Sequence, residues 1–285
     1  MSRLRSLPIA VVAMLLLGAG RSASAGDWER IHGDFRRALL DLSGRLGAEW
    51  KPDLPAPGEV AASPGSPRVV VVGFTGWVTR HGPRDSGIRV LTKRINGMGD
   101  EGVVALIYAQ SQWRQAAAEV LRRAHSSPDP GAGLRQPLIV AFGHSLGANA
   151  VGKFARLLGQ SELEVSLAVY IDAFSAGKSR VPANVACAIN FYQRAGIFKG
   201  IPLRGQSGLV AEAPDRTTLL GSYLLQPRDK PPQAKPRPFR RLFFEQHYLL
   251  AHDARVQAYI CSAVRILLRL SKEGAELQER SGSLR

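Results

Sequence analysis

The sequence predicts an α/β protein with a mostly parallel sheet flanked by helices. From residue 68 onwards, short runs of β-branched and apolar residues alternate with stretches that have helical spacing. Dense apolar runs of this kind are typical of strands buried on both faces, as the strands of a parallel sheet are. Because helical stretches separate the runs, consecutive strands can point the same way with crossover helices between them.

Five apolar runs are the candidate strands, and helical stretches lie between the first four and at the end of the domain. The predicted strands are Val69–Gly73, Val103–Tyr108, Leu138–Phe142, Leu167–Ile171 and Cys187–Tyr192. The predicted helices run from Asp85 or Ser86 to Ile95, from Ser111 to Ala124, onwards from Ser145, and over Leu249–Leu270. Asp85, Ser86 and Ser111 are N-cap candidates, because their side chains can accept a hydrogen bond from the first helical turn. The last helix has one apolar face, made of Val256, Ile260, Val264 and Leu267.

The first 25 residues have the order of a secretory signal peptide. Arginines in Met1–Arg5 precede the apolar run Leu7–Gly18, and small residues follow at Ala23–Ala25. The apolar run is shorter than the roughly 20 residues that a membrane-spanning helix needs, which disfavours the alternative of a membrane anchor. We therefore expect cleavage after Ala25 and a periplasmic or secreted protein.

The remaining chain of about 260 residues has the size of one domain with a sizeable core. Residues 26–67 are predicted to form a helix over Trp28–Leu46 and a proline-rich linker over Lys51–Pro67, and residues 68–285 the α/β domain. The segment 227–241 is basic and proline-rich, so it cannot form a central strand. It belongs to the long connection before His247, which is either a lid over the site or a solvated insertion.

The charge and the cysteines limit the classes of partner. The formal net charge is +15, and loss of Arg3, Arg5 and Arg21 with the signal leaves +12, because residues 1–25 contain no acid. This balance favours anionic surfaces such as phospholipid headgroups, although it can also serve solubility alone. The sequence has no nucleic-acid-binding motif. Cys187 and Cys261 either pair or are two buried thiols, and two cysteines do not form a disulfide framework.

A serine lies between two glycines at the end of the third predicted strand. Leu138–Phe142 leads into Gly143-His144-Ser145-Leu146-Gly147, and a stretch rich in small residues follows. In so sharp a strand–helix turn the middle residue is strained, and a Cβ at either glycine would clash with its neighbours. The Ser145 side chain is then raised over the carboxyl edge of the sheet, where α/β proteins bind ligands. The N-terminus of the next helix favours a developing anion at this place.

This arrangement resembles the nucleophile elbow of the α/β-hydrolase superfamily, in particular its lipases and esterases. The resemblance covers roughly Arg68 to Leu270. It implies a Ser–His–acid triad in the chain order serine, acid, histidine, together with an oxyanion hole of two backbone N–H groups. The antiparallel strands that usually precede the first parallel strand are absent from the sequence, which indicates a reduced version of this fold.

His247 and His252 are the candidates for the general base, because the resemblance implies a histidine after the acid and late in the chain. His247 is favoured because it directly precedes the final helix, whereas His252 could equally cap that helix beside Asp253. The other histidines are expected to lie away from the serine or to pack in the fold: His32, His81, His125 and His144.

The acid and the oxyanion hole have alternatives as well. Asp172 ends the strand Leu167–Ile171 at the same sheet edge as Ser145, although it could also be a helix N-cap; Asp215 is the second candidate. The oxyanion N–H groups are expected on Leu146 and, by family analogy, on Phe74 or Thr75. Gly73 and Gly76 flank that pair and would let the backbone approach a substrate; the alternative is an ordinary glycine-rich turn.

The sequence therefore predicts an exported serine hydrolase that cleaves carboxylic esters, of small molecules or lipids, through an acyl-enzyme. This chemistry requires neither a metal nor an organic cofactor. The alternatives are an acyltransferase on the same fold and a catalytically silent binding protein of the envelope. The sequence leaves the acyl chain length and the oligomeric state open.

Overall fold

A six-stranded, all-parallel sheet forms the centre of the computed structural model, which describes residues 25–47, 54, 67–76, 86–125, 136–174, 177–194, 208–226 and 245–282. The strands are β1 (Val69–Thr75), β2 (Val103–Ala109), β3 (Leu138–His144), β4 (Val165–Ile171), β5 (Ser179–Val181), β6 (Val185–Tyr192), β7 (Leu209–Ala211) and β8 (Thr218–Leu224). The order across the sheet is β2-β1-β3-β4-β6-β8, while β5 and β7 form a separate parallel pair. The predicted α/β class with a mostly parallel sheet is confirmed.

Six α-helices and two short 3-10 turns accompany the strands in the described part of the chain. The helices are α1 (Ala25–Gly44), α2 (Gly87–Gly97), α3 (Trp113–His125), α4 (Leu146–Gly159), α5 (Glu245–Leu250) and α6 (Ala254–Gly282). The 3-10 turns are Arg45–Gly47 and Gln110–Gln112. The helix predicted over Trp28–Leu46 thus corresponds to α1 and the turn that follows it.

The sheet has a hydrophobic core on each face, which explains the dense apolar strands. Val69 and Val71 of β1 belong to the core under α1, α2 and α6, whereas Val70 and Val72 belong to the core under α3 and α4. All four valines are fully buried. Each such side chain contributes on the order of 1.5–3 kcal/mol by burial, so the run is stabilised from both sides.

All five predicted strands are present, but the sixth strand of the sheet, β8, is absent from the prediction. β8 lies at the sheet edge beside β6, and its side chains are mostly exposed or half-buried. It contains Gly221 with φ 124°, and the pairing with β6 shifts register between Ala188 and Ile189. An irregular edge strand with one glycine lacks the continuous apolar run by which the buried strands can be predicted.

One predicted helix cap is confirmed and another is wrong. Ser86 caps α2, since its Oγ accepts a hydrogen bond from the Arg89 N–H at 3.3 Å. The prediction that Ser111 caps the next helix is wrong. Ser111 lies within the 3-10 turn, where the side chain of Gln112 accepts from the Ala109 N–H at 2.9 Å instead.

The final predicted helix is two helices, and Asp253 separates them. The Asp253 carbonyl accepts from the Gln257 N–H at 3.1 Å and its Oδ1 from the Arg255 N–H at 2.9 Å, so Asp253 rather than His252 caps α6. The apolar face predicted for this helix is buried, as expected: Val256, Ile260, Val264 and Leu267.

The thiols of Cys187 and Cys261 are both free and buried. Burial raises the pKa of Cys187 to about 12 and that of Cys261 to about 11, so both remain protonated at neutral pH. Of the two interpretations of these cysteines, the structure has the buried thiols.

Several sequence predictions lie outside the described residues. These are the signal peptide up to residue 24, the linker 51–67 except Leu54 and Pro67, the N-cap candidate Asp85, His81, and the insertion 227–241. Among the residues that the structure does describe, no helix is both long enough and apolar enough to span a membrane.

Candidate active site

Ser145 has the strained backbone that its two flanking glycines predict. It stands between β3 and α4 with φ 60° and ψ −124°, a conformation that costs a non-glycine residue roughly 1–3 kcal/mol. A Cβ at Gly143 would overlap the Gly147 carbonyl and come within 2.7 Å of the Ala148 nitrogen. A Cβ at Gly147 would overlap the Phe74 carbonyl at the end of β1. Both glycines are therefore required by close backbone approach.

Backbone hydrogen bonds fasten this turn to the end of the neighbouring strand β4. The Ser145 N–H donates to the Ile171 carbonyl at 2.9 Å, and the Phe174 N–H donates to the Ser145 carbonyl at 3.4 Å. Ser145 is 9% exposed. The main chain of Ser145 and the residues directly after β4 are thus held side by side at the carboxyl edge of the sheet.

Asp172 lies at this edge, one residue beyond β4, and is fully buried. Its backbone has φ 44°, and its N–H donates to the Phe191 carbonyl at 2.7 Å. Its Oδ2 accepts two hydrogen bonds, from His247 Nδ1 at 2.7 Å and from Gln193 Nε2 at 3.1 Å. The next described element after Asp172 is strand β5, so the described residues give no support to a helix-capping role.

His247 projects from the short helix α5 onto the carboxylate of Asp172. Because an ionised carboxylate only accepts hydrogen bonds, Nδ1 of His247 carries the proton of this contact. In the neutral ring, Nε2 is then left with a lone pair. The side chain of His247 is 15% exposed, so the ring is largely shielded from water.

His144, the residue before the serine, contacts His247 in two ways. Its Nε2 lies 2.8 Å from the backbone carbonyl oxygen of His247, and the two rings pack with centroids 4.4 Å apart. Burial, and secondarily the nearby His247, hold the pKa of His144 well below its usual 6.5. His144 is thus a neutral hydrogen-bond donor at neutral pH. The expectation that it packs in the fold is met, but its partner is the base candidate.

The alternative acid and base candidates have other described surroundings. Asp215 is exposed in the turn between β7 and β8. His252 follows α5, and its ring packs against the Tyr248 ring with centroids 4.7 Å apart. The Asp172 carboxylate contacts His247. The remaining described histidines make other contacts: His32 with Glu164 at 2.6 Å, and His125 with the Leu121 carbonyl at 2.6 Å.

The end of β1 lies directly beside the serine. A Cβ at Gly76 would come within 3.0 Å of the Ser145 Cβ and 3.6 Å of its Oγ. The Thr75 Oγ1 donates to the Tyr108 carbonyl at 3.4 Å, so the Thr75 side chain is engaged away from the serine. Of the predicted oxyanion positions, Leu146 begins α4 next to Ser145, and Phe74 and Thr75 end β1.

Phe74 and Gly73 of β1 both take part in packing below the site. The ring of Phe74 packs in the core against Phe154, with centroids 5.4 Å apart, which leaves only the Phe74 backbone for a substrate. Gly73 lies inside β1, where a Cβ would come within 2.8 Å of the Phe142 ring. The missing Cβ of Gly73 thus makes room for the Phe142 ring, whereas that of Gly76 lies at the serine.

Sequence reasoning missed two residues that contact the acid and the base. Gln193 is 1% exposed and follows β6 at the same sheet edge as Asp172. A polar residue at the carboxyl end of a buried strand is a signal that could have indicated it. The contact of His144 with His247 spans 103 positions, and no local pattern indicates it.

The arrangement can supply a nucleophile, a base and backbone donors. Among the described histidines, cysteines, aspartates and glutamates, no group of three lies close enough to hold a metal ion. No hydrogen bond joins the Ser145 Oγ to another described side chain. The catalytic partners of a serine commonly tighten only when substrate binds.

No known family model matches the chain, and no curated protein matches it. The solved structures similar to it include an α/β serine hydrolase without a lid from Xanthomonas campestris, which is 15% identical, with 76% of this chain and 86% of that chain covered and a TM-score of 0.38. A thioesterase of the prodiginine pathway from Streptomyces coelicolor is 10% identical, with coverages of 73% and 91% and a TM-score of 0.39. An esterase from Pyrobaculum calidifontis is 13% identical, with coverages of 90% and 98% and a TM-score of 0.37. At identities and TM-scores this low, these similarities do not extend to function.

Proposed function

We propose that this protein is a serine hydrolase that cleaves carboxylic esters through an acyl-enzyme on Ser145. The observation that carries the proposal is the contact between His247 Nδ1 and Asp172 Oδ2 at 2.7 Å, at the sheet edge where the strained Ser145 is fastened. A carboxylate on Nδ1 fixes the tautomer in which Nε2 can accept a proton. This is the state that a general base for a serine hydroxyl requires.

The proposed reaction has two steps. His247 Nε2 takes the proton of the Ser145 hydroxyl as Oγ attacks the ester carbonyl, and the protonated ring then gives that proton to the leaving alcohol. Asp172 stabilises the ring while it is charged. Water, activated by His247 in the same way, then attacks the acyl-enzyme and releases the acid. The N–H groups of Leu146 and of Thr75 or Phe74 are the proposed donors to the oxyanion.

An apolar ester is the proposed substrate class. Phe174 is 44% exposed, although its N–H is bonded to the Ser145 carbonyl and its own carbonyl to Asn149 Nδ2 at 2.7 Å. An exposed phenyl ring held this close to the nucleophile can contact the apolar part of a substrate. The net charge of +12 that remains after loss of residues 1–25 supports a location near anionic lipid headgroups, and the N-terminal segment supports export to the periplasm or medium.

Hydrolysis of p-nitrophenyl esters of graded chain length tests this proposal. The wild-type protein should release p-nitrophenol, and the Ser145→Ala variant should fall to the rate of the buffer alone. Ser161→Ala, in an exposed turn, is the matched control and should keep full activity. Turnover that Ser145→Ala retains would refute the proposed nucleophile. Well-folded wild-type protein without turnover would favour a silent binding role, and transfer to added alcohols in preference to water would favour an acyltransferase.

A further inference from the structure

The turn that carries Ser145 also holds the backbone of the residue proposed as its base. His144 Nε2 lies 2.8 Å from the His247 carbonyl oxygen, and its ring packs on the His247 ring at 4.4 Å. Because a carbonyl oxygen only accepts, Nε2 of His144 carries the proton. Its low pKa, caused first by burial, keeps the ring in this neutral form at physiological pH.

The helix that presents His247 is too short to be stable without contacts to the rest of the fold. α5 has six residues, and a helix this short has little stability of its own in water. Two contacts fix His247 from the sheet: the Asp172 carboxylate holds the ring at Nδ1, and the His144 donor holds the main chain. The two tethers come from neighbouring strands, since His144 pairs with Ile171, the residue before Asp172.

We propose that His144 is a positioning residue for the esterase reaction, which fixes the main chain of His247 and thereby aims its Nε2 at the Ser145 hydroxyl. This inference rests on the proposed function. A group misplaced by about 1 Å can cost on the order of 100-fold in rate, so a single hydrogen bond on the base-carrying helix can control turnover. A neutral His144 also places no positive charge beside the His247 ring when that ring is protonated.

Two substitutions separate the donor from the ring. His144→Phe keeps an aromatic ring against His247 and removes the donor, whereas His144→Gln keeps an N–H near the position of Nε2. We expect His144→Phe to lower kcat by about 10- to 100-fold with KM changed by less than about twofold, because the interaction acts on the reacting groups. His144→Gln should recover most of this loss. His125→Phe, at an exposed histidine at the end of α3, should leave kcat unchanged.

The rate is expressed per active site, with the sites titrated by the burst of p-nitrophenol. A merely structural role of His144 would lower the number of titrated sites and the Tm, but not the turnover of each site. A kcat per site within about twofold of wild type in His144→Phe overturns the proposal, as does an equal loss in His144→Gln. If wild-type protein neither turns over esters nor reacts with a fluorophosphonate, the proposed function itself has failed.

If His144→Phe does not fold, the tautomer of His144 in the wild-type protein tests the proposal instead. Nitrogen-15 NMR of the imidazole should find a proton on Nε2 and a bare Nδ1 at neutral pH. A protonated Nδ1 with a bare Nε2, or a charged ring, cannot come from the proposed donor and overturns the proposal.

Discussion

The imidazole Nδ1 of His247 lies 2.7 Å from the carboxylate Oδ2 of Asp172, across 75 positions of sequence. The carboxylate is fully buried and the ring is 15% exposed. Removing one partner of such a pair leaves a buried polar or charged group without compensation, which is strongly unfavourable. The orientation of the proposed base depends on this contact.

Asp172→Asn should abolish most of the activity while the fold is retained. The amide has the same shape, but its N–H group can donate to Nδ1 and stabilise the tautomer with a proton on Nε2, which cannot act as a base. We expect kcat to fall on the order of 10⁴-fold with a small change in KM. Asp215→Asn, at an exposed turn, is the matched control and should keep wild-type kcat. Equal activity of Asp172→Asn and wild type would exclude Asp172 as the acid.

Gln193→Leu should destabilise the protein through the same carboxylate. Gln193 Nε2 donates to Asp172 Oδ2 at 3.1 Å, and both residues are buried. Loss of this donor leaves a buried acceptor with one partner fewer, which costs about 1–3 kcal/mol in the free energy of unfolding. Urea denaturation measures the change, with the exposed Gln160→Leu as control. No difference between the two variants would mean that the Gln193 contact adds nothing to stability.

Gly147→Ala should be far more damaging than an alanine at a helix glycine with free space. A Cβ at Gly147 would overlap the Phe74 carbonyl, so the turn or the end of β1 must move, at a cost of about 1–3 kcal/mol or more. Gly33→Ala, in α1, has nothing within 4 Å and should gain roughly 0.5–1 kcal/mol, because alanine favours the helix. Thermal unfolding of both variants gives the comparison, and a neutral Gly147→Ala would contradict the described packing.

Stability should fall at acid pH partly because of His144. The unfolded chain binds a proton at this residue near pH 6.5, but the folded protein binds it only at lower pH, since burial lowers the folded pKa. The unfolded state therefore holds more protons below pH 6.5, and the free energy of unfolding rises with pH in that window and levels off above it. His144 adds a slope of at most about 1.4 kcal/mol per pH unit.

Urea midpoints of the wild-type protein and His144→Gln between about pH 5 and pH 8 isolate this contribution, because the other histidines titrate in both proteins. The difference in stability between the two proteins should change below pH 6.5 and be constant above it. Parallel curves over the whole range would mean that His144 titrates alike in the folded and unfolded states.

The fold could be predicted where local composition decides it. Val69–Val72 are buried on both faces of the sheet. The continuous apolar run that results identifies the strand without knowledge of its neighbours in the sheet. β8 could not be predicted, because an edge strand with Gly221 in a left-handed conformation has neither a continuous apolar run nor a regular alternation. The break between α5 and α6 depends on the helix cap formed by Asp253. From the sequence alone, His252 is an equally good candidate for this cap.

The candidate site divides in the same way. The strained backbone of Ser145 could be predicted from the glycines at positions 143 and 147, because only glycine allows the close backbone approach of such a turn. The choice between two acids and two bases does not follow from any local pattern, since the contact that joins Asp172 to His247 spans 75 positions. The contacts of Gln193 with Asp172 and of His144 with His247 likewise depend on the tertiary fold, so the sequence does not indicate them.

The most direct test of the proposed chemistry is covalent labelling with a fluorophosphonate, followed by peptide mapping with mass spectrometry. We predict one adduct, on the peptide that contains Ser145, formed much more slowly in His247→Ala and absent from Ser145→Ala. An adduct on another residue, or no adduct on folded wild-type protein, would contradict it.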